Sequence, residues 1–171
     1  PKLGPPMTDE PLYQEILEPR ATGGDVLTIE KVLILRNTPL FRAVREEHLV
    51  FVAQHAEPVE LAQDAVLFEL GDLGNSMFVV ATGRLRIYSG DVTFAEIGSR
   101  EVVGEMAAVD PEPRSASVAA MESSLLLRIS HQNLQLLMDH DPDVARGIIK
   151  VLCARLRTTG PRASVTMHAV K

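Results

Sequence analysis

Residues 104–117, the central segment, combine residue types that bind phosphate and sugar groups. Gly104 permits a backbone turn that a side chain would hinder, and residues 105–109 have the composition of one short helical turn. The amides at the start of such a helix attract anions, and Arg114 adds a forked positive charge just beyond the loop. The Glu105 carboxylate can accept hydrogen bonds from hydroxyl groups. Phosphate together with a sugar hydroxyl is a nucleotide-like requirement, so the central segment predicts a small-ligand site.

The residues around the short helix limit its length and direction. Pro111 and Pro113 end it, because proline removes an amide donor and restricts the residue before it. Extended runs are expected at residues 101–103 and 115–121. A surface ion pair between Glu105 and Arg114 is the alternative interpretation of these two side chains. The glycine, the helix start and Pro113 together favour the anion-binding loop.

Length and composition exclude several classes of protein. A chain of 171 residues, 46% of them hydrophobic, is sufficient for one packed domain. The net charge of −6 argues against a direct nucleic-acid partner. The single cysteine, Cys153, excludes an internal disulfide framework and predicts a reducing, cytoplasmic location. No apolar run approaches the roughly 18 residues of a membrane span. The lack of an initiator methionine indicates either a fragment or a processed chain, and an effector domain is expected in any longer parent.

The spacing of apolar residues changes twice along the chain. Residues 1–27 are rich in proline and are expected to form a linker or poorly ordered arm. Helical spacing follows Thr28, the expected cap of a first helix, and a second helix is expected at residues 45–55. From Val59 to Ile129 the period is near two, and about eight short strands indicate an antiparallel sandwich or barrel such as a jelly roll.

Helical spacing returns after Ile129. Ser130 is the expected cap of one helix, and Pro142 suits the first turn of the next. That last helix is expected to stop at residues 158–161, which leaves residues 158–171 as a tail. Its apolar surface is wider than one stripe, and two explanations stay open: burial against the strands, or the seam of a homodimer.

Other chemistry-bearing residues have simpler explanations. The Asp and His residues at 139–143 are expected to cap helix ends rather than to hold a metal. The sequence contains neither a Gly-x-Ser-x-Gly elbow nor a Walker-type loop. A cupin-like enzyme is a weaker alternative, because the strands lack a cluster of histidines. We therefore expect a protein that is not an enzyme and has no metal or cofactor.

Two tetrapeptides in the central segment resemble a known family. Gly104-Glu105-Met106-Ala107 followed by Pro113-Arg114-Ser115-Ala116 is similar to the phosphate-binding cassette of cyclic-nucleotide-binding domains, with neither insertion nor deletion. The family includes the modules of catabolite activator protein, protein kinase A regulatory subunits and cyclic-nucleotide-gated channels. The resemblance covers about residues 28–157 and also includes three further motifs: Pro39-Leu40-Phe41, Phe68-x-x-Gly71-Asp72 and Thr82-Gly83-Arg84-Leu85.

The resemblance implies a mainly β fold, an antiparallel β-roll with N-terminal helices and two C-terminal helices. It implies that Glu105 accepts the ribose 2′-hydroxyl and that Arg114 pairs with the cyclic phosphate. It also implies that Gly104 lets the backbone approach the sugar, that the amides of Ala107 and Ser115 bind phosphate, and that the last helix is a lid. The full set of expected ligand-binding residues is Gly104, Glu105, Met106, Ala107, Arg114, Ser115 and Ala116.

Two departures from the family pattern concern the nucleobase. Ser115 stands where alanine accompanies cAMP preference and threonine accompanies cGMP preference, and serine leans towards cAMP. No aromatic residue follows Phe94, so Thr158, Thr159 or an aliphatic side chain is expected to cover the base. The resulting prediction is a cAMP-favouring regulatory sensor whose terminal helix responds to ligand. The alternative is a ligand-free docking or dimerisation module with the same β-roll.

Overall fold

The computed structural model describes residues 26–166, with side chains up to residue 158. Nearly all of the predicted arm at residues 1–27, and the end of the predicted tail, lie outside the described residues. Two helices, α1 (Thr28–Asn37) and α2 (Glu46–His55), flank a 3₁₀ turn at Pro39–Phe41 and precede the strands. The eight strands are β1 (Glu57–Leu61), β2 (Val66–Phe68), β3 (Ser76–Thr82), β4 (Leu85–Ser89), β5 (Val92–Ile97), β6 (Val102–Val103), β7 (Ser117–Ala120) and β8 (Ser124–Ser130). Helix α3 (Glu105–Val109) lies between β6 and β7, and α4 (His131–His140) and α5 (Pro142–Thr166) follow β8.

The strands form two four-stranded sheets in which every neighbouring pair is antiparallel. One sheet has the order β1-β8-β3-β6 and the other β2-β7-β4-β5. The helices precede the first strand and follow the last, apart from α3 in the middle of the chain. The predicted fold, an antiparallel β-roll with flanking helices, is confirmed.

Strand β3 is buried on both of its faces, which explains its continuous apolar run. Successive side chains of a strand point to opposite sides of the sheet. Met77 and Val79 belong to a core shared with the helices, whereas Phe78 and Val80 belong to a second core of residues from both sheets. Alternate side chains of β3 therefore pack on the helices on one face and on the other strands on the opposite face.

Three of the predicted helix boundaries have clear outcomes. Ser130 caps α4 as predicted, since its hydroxyl accepts a hydrogen bond from the Asn133 N–H at 3.3 Å. Thr28 is not a cap: the capping residue is Leu27, whose N–H donates to the Glu30 carboxylate at 2.8 Å. The predicted stop at residues 158–161 is also wrong, because α5 continues to Thr166. A proline inside a helix removes one hydrogen bond, and it kinks or breaks the helix without necessarily ending it.

Asp141 joins the starts of two helices. One oxygen of its buried carboxylate accepts the Arg45 N–H at 3.2 Å and faces His48 Nδ1 at 2.9 Å, while the other accepts the Asp143 N–H at 3.2 Å. Burial alone raises the pKa of Asp141, but these hydrogen bonds outweigh it and hold the pKa below its ordinary value. Asp141 thus caps α5, and within residues 26–158 no group of three or more His, Cys, Asp or Glu side chains could hold a metal ion.

Replacing Asp141 with asparagine should lower the free energy of unfolding at pH 7 by about 1 to 2 kcal/mol, because at least one charge-assisted hydrogen bond is lost. A depressed carboxyl pKa contributes stability that is present above the unfolded value of about 3.9 and is lost as pH falls through the folded value. The gap between wild type and variant should therefore close on acidification, as urea unfolding at several pH values would measure. The matched control is Asp143→Asn on the more exposed neighbour, which should change stability by less than about 0.5 kcal/mol. A gap that stays constant down to pH 2 contradicts the assignment.

Helix α5 is buried near its start and exposed further along. Val144 and Ile148 are buried, and Gly147 lies against the backbone carbonyl of Leu40 in the 3₁₀ turn. Ile149 and Leu156 are 58% and 70% exposed, so burial against the strands does not account for them. The homodimer seam stays a prediction. Within residues 26–166, no helix is long and apolar enough to cross a membrane.

Candidate functional site

Gly104 sets the direction of the chain at the start of the site. Strand β6 ends at Val103, and Gly104 has φ of +76°, a left-handed conformation that side chains disfavour. A Cβ atom at this position would also lie 2.5 Å from Nη1 of Arg114. Backbone conformation and available space both require glycine, and together they place α3 beside Arg114.

Arg114 is a buried cation held by backbone on both sides. Only 7% of the residue is exposed, and Nη1 donates to the carbonyl oxygens of Ser76 at 2.9 Å and Gly104 at 3.3 Å. The guanidinium carbon lies 4.1 Å from the centre of the Phe68 ring, within the range of a cation–π contact. The backbone N–H of Arg114 donates to the Asp72 carbonyl at 2.8 Å, which fixes the residue against the β2–β3 loop.

The positive charge of Arg114 is stabilised mainly by hydrogen bonds to neutral carbonyl groups. No carboxylate of the described residues forms an ion pair with its guanidinium. Burial lowers the pKa of Arg114, and the more distant charge of Asp72 partly opposes that effect. Arginine stays protonated under such conditions, so the side chain is a desolvated positive charge. An incoming anion would be attracted more strongly here than at an exposed arginine.

Gly74 gives Arg114 its space and was missed by the sequence analysis. A Cβ at this position would lie 2.6 Å from Nε of Arg114 and 2.8 Å from Cβ of Ala107. The contact joins the β2–β3 loop to the central segment, which is far away in sequence. Read alone, Gly74-Asn75 indicates only a turn.

Glu105 is buried completely, and its two carboxylate oxygens have different surroundings. Oε1 accepts a hydrogen bond from Nη1 of Arg155 at 2.6 Å. Oε2 is buried and has no hydrogen-bond partner within the described part of the chain. Since Glu105 and Arg114 are both buried and do not pair with each other, the alternative of a surface ion pair between them is wrong.

A cavity of about 180 Å³ brings these groups together. It is lined by all seven residues predicted as ligand-binding: Gly104, Glu105, Met106, Ala107, Arg114, Ser115 and Ala116. Apolar walls come from other parts of the roll, including Phe68, Ile87 and Val118. The cavity thus combines a positive charge, a carboxylate and an apolar surface, which suits a small organic anion that carries hydroxyl groups.

Arg155 lines the same cavity from α5, although it is not among the seven residues predicted from the sequence. Its Nη2 also donates to the carbonyl oxygen of Val102. The predicted covering residue Thr158 does not line the cavity, and the side chain of Thr159 lies outside the described residues. Arg155 does not lie at the end of α5, which continues to Thr166, so a favourable interaction with the helix dipole does not explain the residue.

Comparison with known proteins shows the family of this chain. The sequence model of the cyclic nucleotide-binding domain matches residues 58–141. The crystal structure of the N-terminal domain of a transcriptional regulator from Streptomyces coelicolor A3(2) superposes with a TM-score of 0.60 at 32% identity, over 76% of this chain and 94% of that one. The chain belongs to the cyclic nucleotide-binding domain family.

Two curated relatives are longer proteins than this chain. The cyclic AMP receptor protein of Thermus thermophilus is 30% identical over 128 residues, which are 72% of this chain and 59% of that protein. A cyclic nucleotide-gated potassium channel of Rhizobium etli is 30% identical over 117 residues, 68% of this chain and 33% of the channel. The chain spans less than two thirds of the length of either relative. The cyclic nucleotide-binding domain is thus the part that these proteins share with it.

Proposed function

We propose that this chain is a cytoplasmic regulatory sensor that binds a cyclic nucleotide, cAMP in preference to cGMP, in the cavity of the central segment. The observation that carries the proposal is that a desolvated cation, Arg114, and the buried carboxylate of Glu105 both lie in the wall of one cavity. A cyclic nucleotide offers a matching anion and a hydroxyl donor. Membership of the family supports the same ligand class.

Arg114 supplies the contact with the cyclic phosphate. Charge-assisted hydrogen bonds from an arginine guanidinium to a phosphate are stronger than hydrogen bonds between neutral groups. The contacts of the guanidinium with the Phe68 ring and the Ser76 carbonyl fix its position before the ligand binds. The exposed Ser115 lines the cavity beside it and adds a hydroxyl and an amide to the same end of the ligand. Little side-chain entropy is then lost on binding.

Glu105 supplies the contact with the sugar. Its Oε2 is a buried acceptor, and a ribose hydroxyl donating to it would remove the cost of an unpaired oxygen. The apolar walls, among them Ile87 and Val118, suit the flat face of a purine. The three parts of a cyclic nucleotide thus correspond to three kinds of surface in the cavity.

The direct test is calorimetric titration of the wild-type chain with cAMP and with cGMP. Binding heat with both nucleotides, and higher affinity for cAMP, is the expected result. A folded chain that gives no heat with either nucleotide contradicts the sensor function and favours the ligand-free module. The fold can be checked in the same sample by circular dichroism, so that absence of heat is not confused with unfolding.

Ser115 should influence the choice between the bases. Threonine keeps the hydroxyl and fixes it more firmly through its β-branch, which favours a hydrogen bond to the guanine amino group. We expect Ser115→Thr to raise the affinity for cGMP relative to cAMP by about fivefold, equivalent to one modest hydrogen bond. Competition between the two nucleotides for a labelled analogue measures this ratio. Ser115→Ala is the matched control and should leave the preference for cAMP unchanged or stronger.

Transmission through α5 and assembly of two chains complete the proposal. The first half of α5 is packed against the 3₁₀ turn, whereas its second half is more exposed, so the second half is the part that moves between two positions. The exposed Ile149 and Leu156 favour a homodimer seam as a second role of the helix. Light scattering at high concentration, with and without nucleotide, tests it, and the mass of one chain under both conditions rejects it.

A further inference from the structure

A second arginine, Arg128, contacts the same side chain as Arg114. The hydroxyl oxygen of Ser76 lies 3.5 Å from Nη2 of Arg114 and 3.3 Å from Nε of Arg128. Ser76 is 4% exposed, so both guanidinium groups reach one buried oxygen. Arg128 does not line the cavity, whereas Arg114 does. The two cations are thus joined through a hydroxyl group, one in the cavity wall and the other behind it.

Strand pairing brings Arg128 to the side of the sheet that faces Arg114. In β8, Arg128 lies directly opposite Phe78 of β3 and Glu57 of β1. Residues that lie opposite each other in neighbouring strands project from the same face of a sheet. Phe78 belongs to the core between the two sheets, and its ring centre is 6.0 Å from the guanidinium carbon of Arg114. Arg128 therefore projects towards Arg114 from the neighbouring strand.

The charge of Arg128 is only partly neutralised. Its Nη1 donates to Glu57 Oε2 at 2.8 Å, but the side chains are 36% and 66% exposed, and water weakens such a pair. Burial is the main cause that lowers the pKa of Arg114, and the charge of Asp72 opposes it. The charge of Arg128 acts in the same direction as burial. The two arginines therefore repel each other in the absence of an anion.

We infer that Arg128 is a positioning residue for the anion site: it holds the Ser76 hydroxyl beside Arg114 and adds positive potential to the cavity. The inference rests on the proposed function for the identity of the anion, a cyclic phosphate. A bound anion removes the repulsion between the two cations, so the presence of Arg128 favours the occupied site over the empty one. Part of the affinity thus comes from a residue outside the cavity.

The two members of the Arg128–Glu57 pair should have opposite effects on cAMP affinity. Arg128→Gln removes the positive charge and should weaken cAMP binding by about fourfold, as expected for a charge that lies outside direct contact. Glu57→Gln leaves Arg128 charged and removes the carboxylate that partly neutralises it, so cAMP should bind about twofold more tightly. Calorimetric titration at low salt measures both changes. Since both substitutions break the same ion pair, a purely structural role predicts the same sign for both.

Two further measurements identify the effect of Arg128 as electrostatic. Arg128→Lys keeps the charge and should bind cAMP within about twofold of wild type. Salt at about 0.5 M should reduce the difference between wild type and Arg128→Gln to less than about 1.5-fold, because mobile ions screen charges that are not in contact. An effect of Arg128→Gln that persists at high salt, or that is equally large in Arg128→Lys, overturns the electrostatic role.

The matched control is a second exposed ion pair, Arg36–Glu46, which joins α1 to α2. Its side chains are 46% and 77% exposed, and neither residue lines the cavity. Arg36→Gln and Glu46→Gln change the net charge by the same amounts as the two test variants, and each should leave cAMP affinity within about 1.3-fold of wild type. Thermal unfolding without ligand checks that all variants are folded. Control variants that reproduce the opposite shifts show an effect of net charge alone and overturn the inference.

Inorganic phosphate separates this inference from the proposed function. It supplies an anion without sugar or base, and its binding is measured as stabilisation of the folded chain against heat. Phosphate should stabilise Glu57→Gln most, wild type less and Arg128→Gln least. If wild type does not bind cAMP but the three chains show this order with phosphate, the proposed function is wrong and the role of Arg128 stands. Equal stabilisation of the three chains, or weaker cAMP binding in both Arg128→Gln and Glu57→Gln, overturns the inference.

Discussion

Replacing Arg114 with alanine should weaken cAMP binding by about 100-fold or more, because one or two charge-assisted hydrogen bonds of about 1.5 to 3 kcal/mol each are lost. The effect is expected at the upper end of this range, since only 7% of the residue is exposed and the cation already lacks most of its hydration. Calorimetric titration of wild type and variant under the same salt conditions measures the change. The heat of the variant should fall to the level of dilution.

Two controls separate ligand contact from general damage in this experiment. Arg114→Lys keeps the charge but loses the fork, and it should retain part of the affinity, at a loss of about tenfold. Arg84→Ala removes an arginine that is 59% exposed and pairs with Glu96 on the surface, and it should bind as wild type does. Thermal unfolding without ligand checks that each variant is folded. Wild-type affinity in a folded Arg114→Ala chain contradicts the site.

Replacing Gly147 with valine should destabilise the chain by about 3 kcal/mol, through overpacking at the contact between α5 and the 3₁₀ turn. A Cβ at this position would overlap the Leu40 carbonyl, and the neighbouring backbone atoms of Leu40 lie within 3.3 Å. Backbone cannot move aside as the end of a flexible side chain can, so α5 must shift as a whole. The sign of the change in the free energy of unfolding is informative. Glycine in a helix interior lowers helix stability by about 1 kcal/mol relative to alanine, so without the overlap its replacement would stabilise the chain. Urea unfolding measures the change.

Gly98→Val is the control for the glycine substitution itself. A Cβ at Gly98 has no neighbouring atom within 4 Å, and its φ is an ordinary one. This variant should differ from wild type by less than about 0.5 kcal/mol, as for a surface change. Equal stability of the two valine variants contradicts close packing of α5 on the turn. Weaker cAMP binding by Gly147→Val, measured under conditions in which this variant is folded, would in addition show that the position of α5 affects the affinity for cAMP.

Local features of the chain were enough to predict most elements of the roll. The run at Met77 to Val80 is apolar at every position because each face of β3 packs on a different core. The short helix α3 has the predicted bounds, since a glycine in the left-handed region and a following pair of prolines act on neighbouring residues. The end of α5 was predicted wrongly. Gly160 and Pro161 lower the local preference for helix, but the helix continues through them to Thr166.

Contacts between distant parts of the chain could not be predicted in this way. Gly74 has its role only because Arg114 folds against it, and Gly147 only because the backbone of Leu40 comes close. Neither glycine is in the left-handed region, so neither has a local conformational reason to be glycine. Sequence periodicity records which face of an element is apolar, but not which atom lies opposite.

The sequence by itself determined the central segment: a turn that needs Gly104, a carboxylate at the helix start and an arginine at a set distance along the chain. These features depend on backbone conformation and residue type over fewer than twenty residues. Only the tertiary structure decided that Glu105 pairs with Arg155, fifty residues away, rather than with Arg114. It also decided that Arg114 is held by neutral carbonyls, which leaves its charge available to an anion. Burial and electrostatic pairing depend on how the sheets and α5 pack, and that packing is a property of the whole domain.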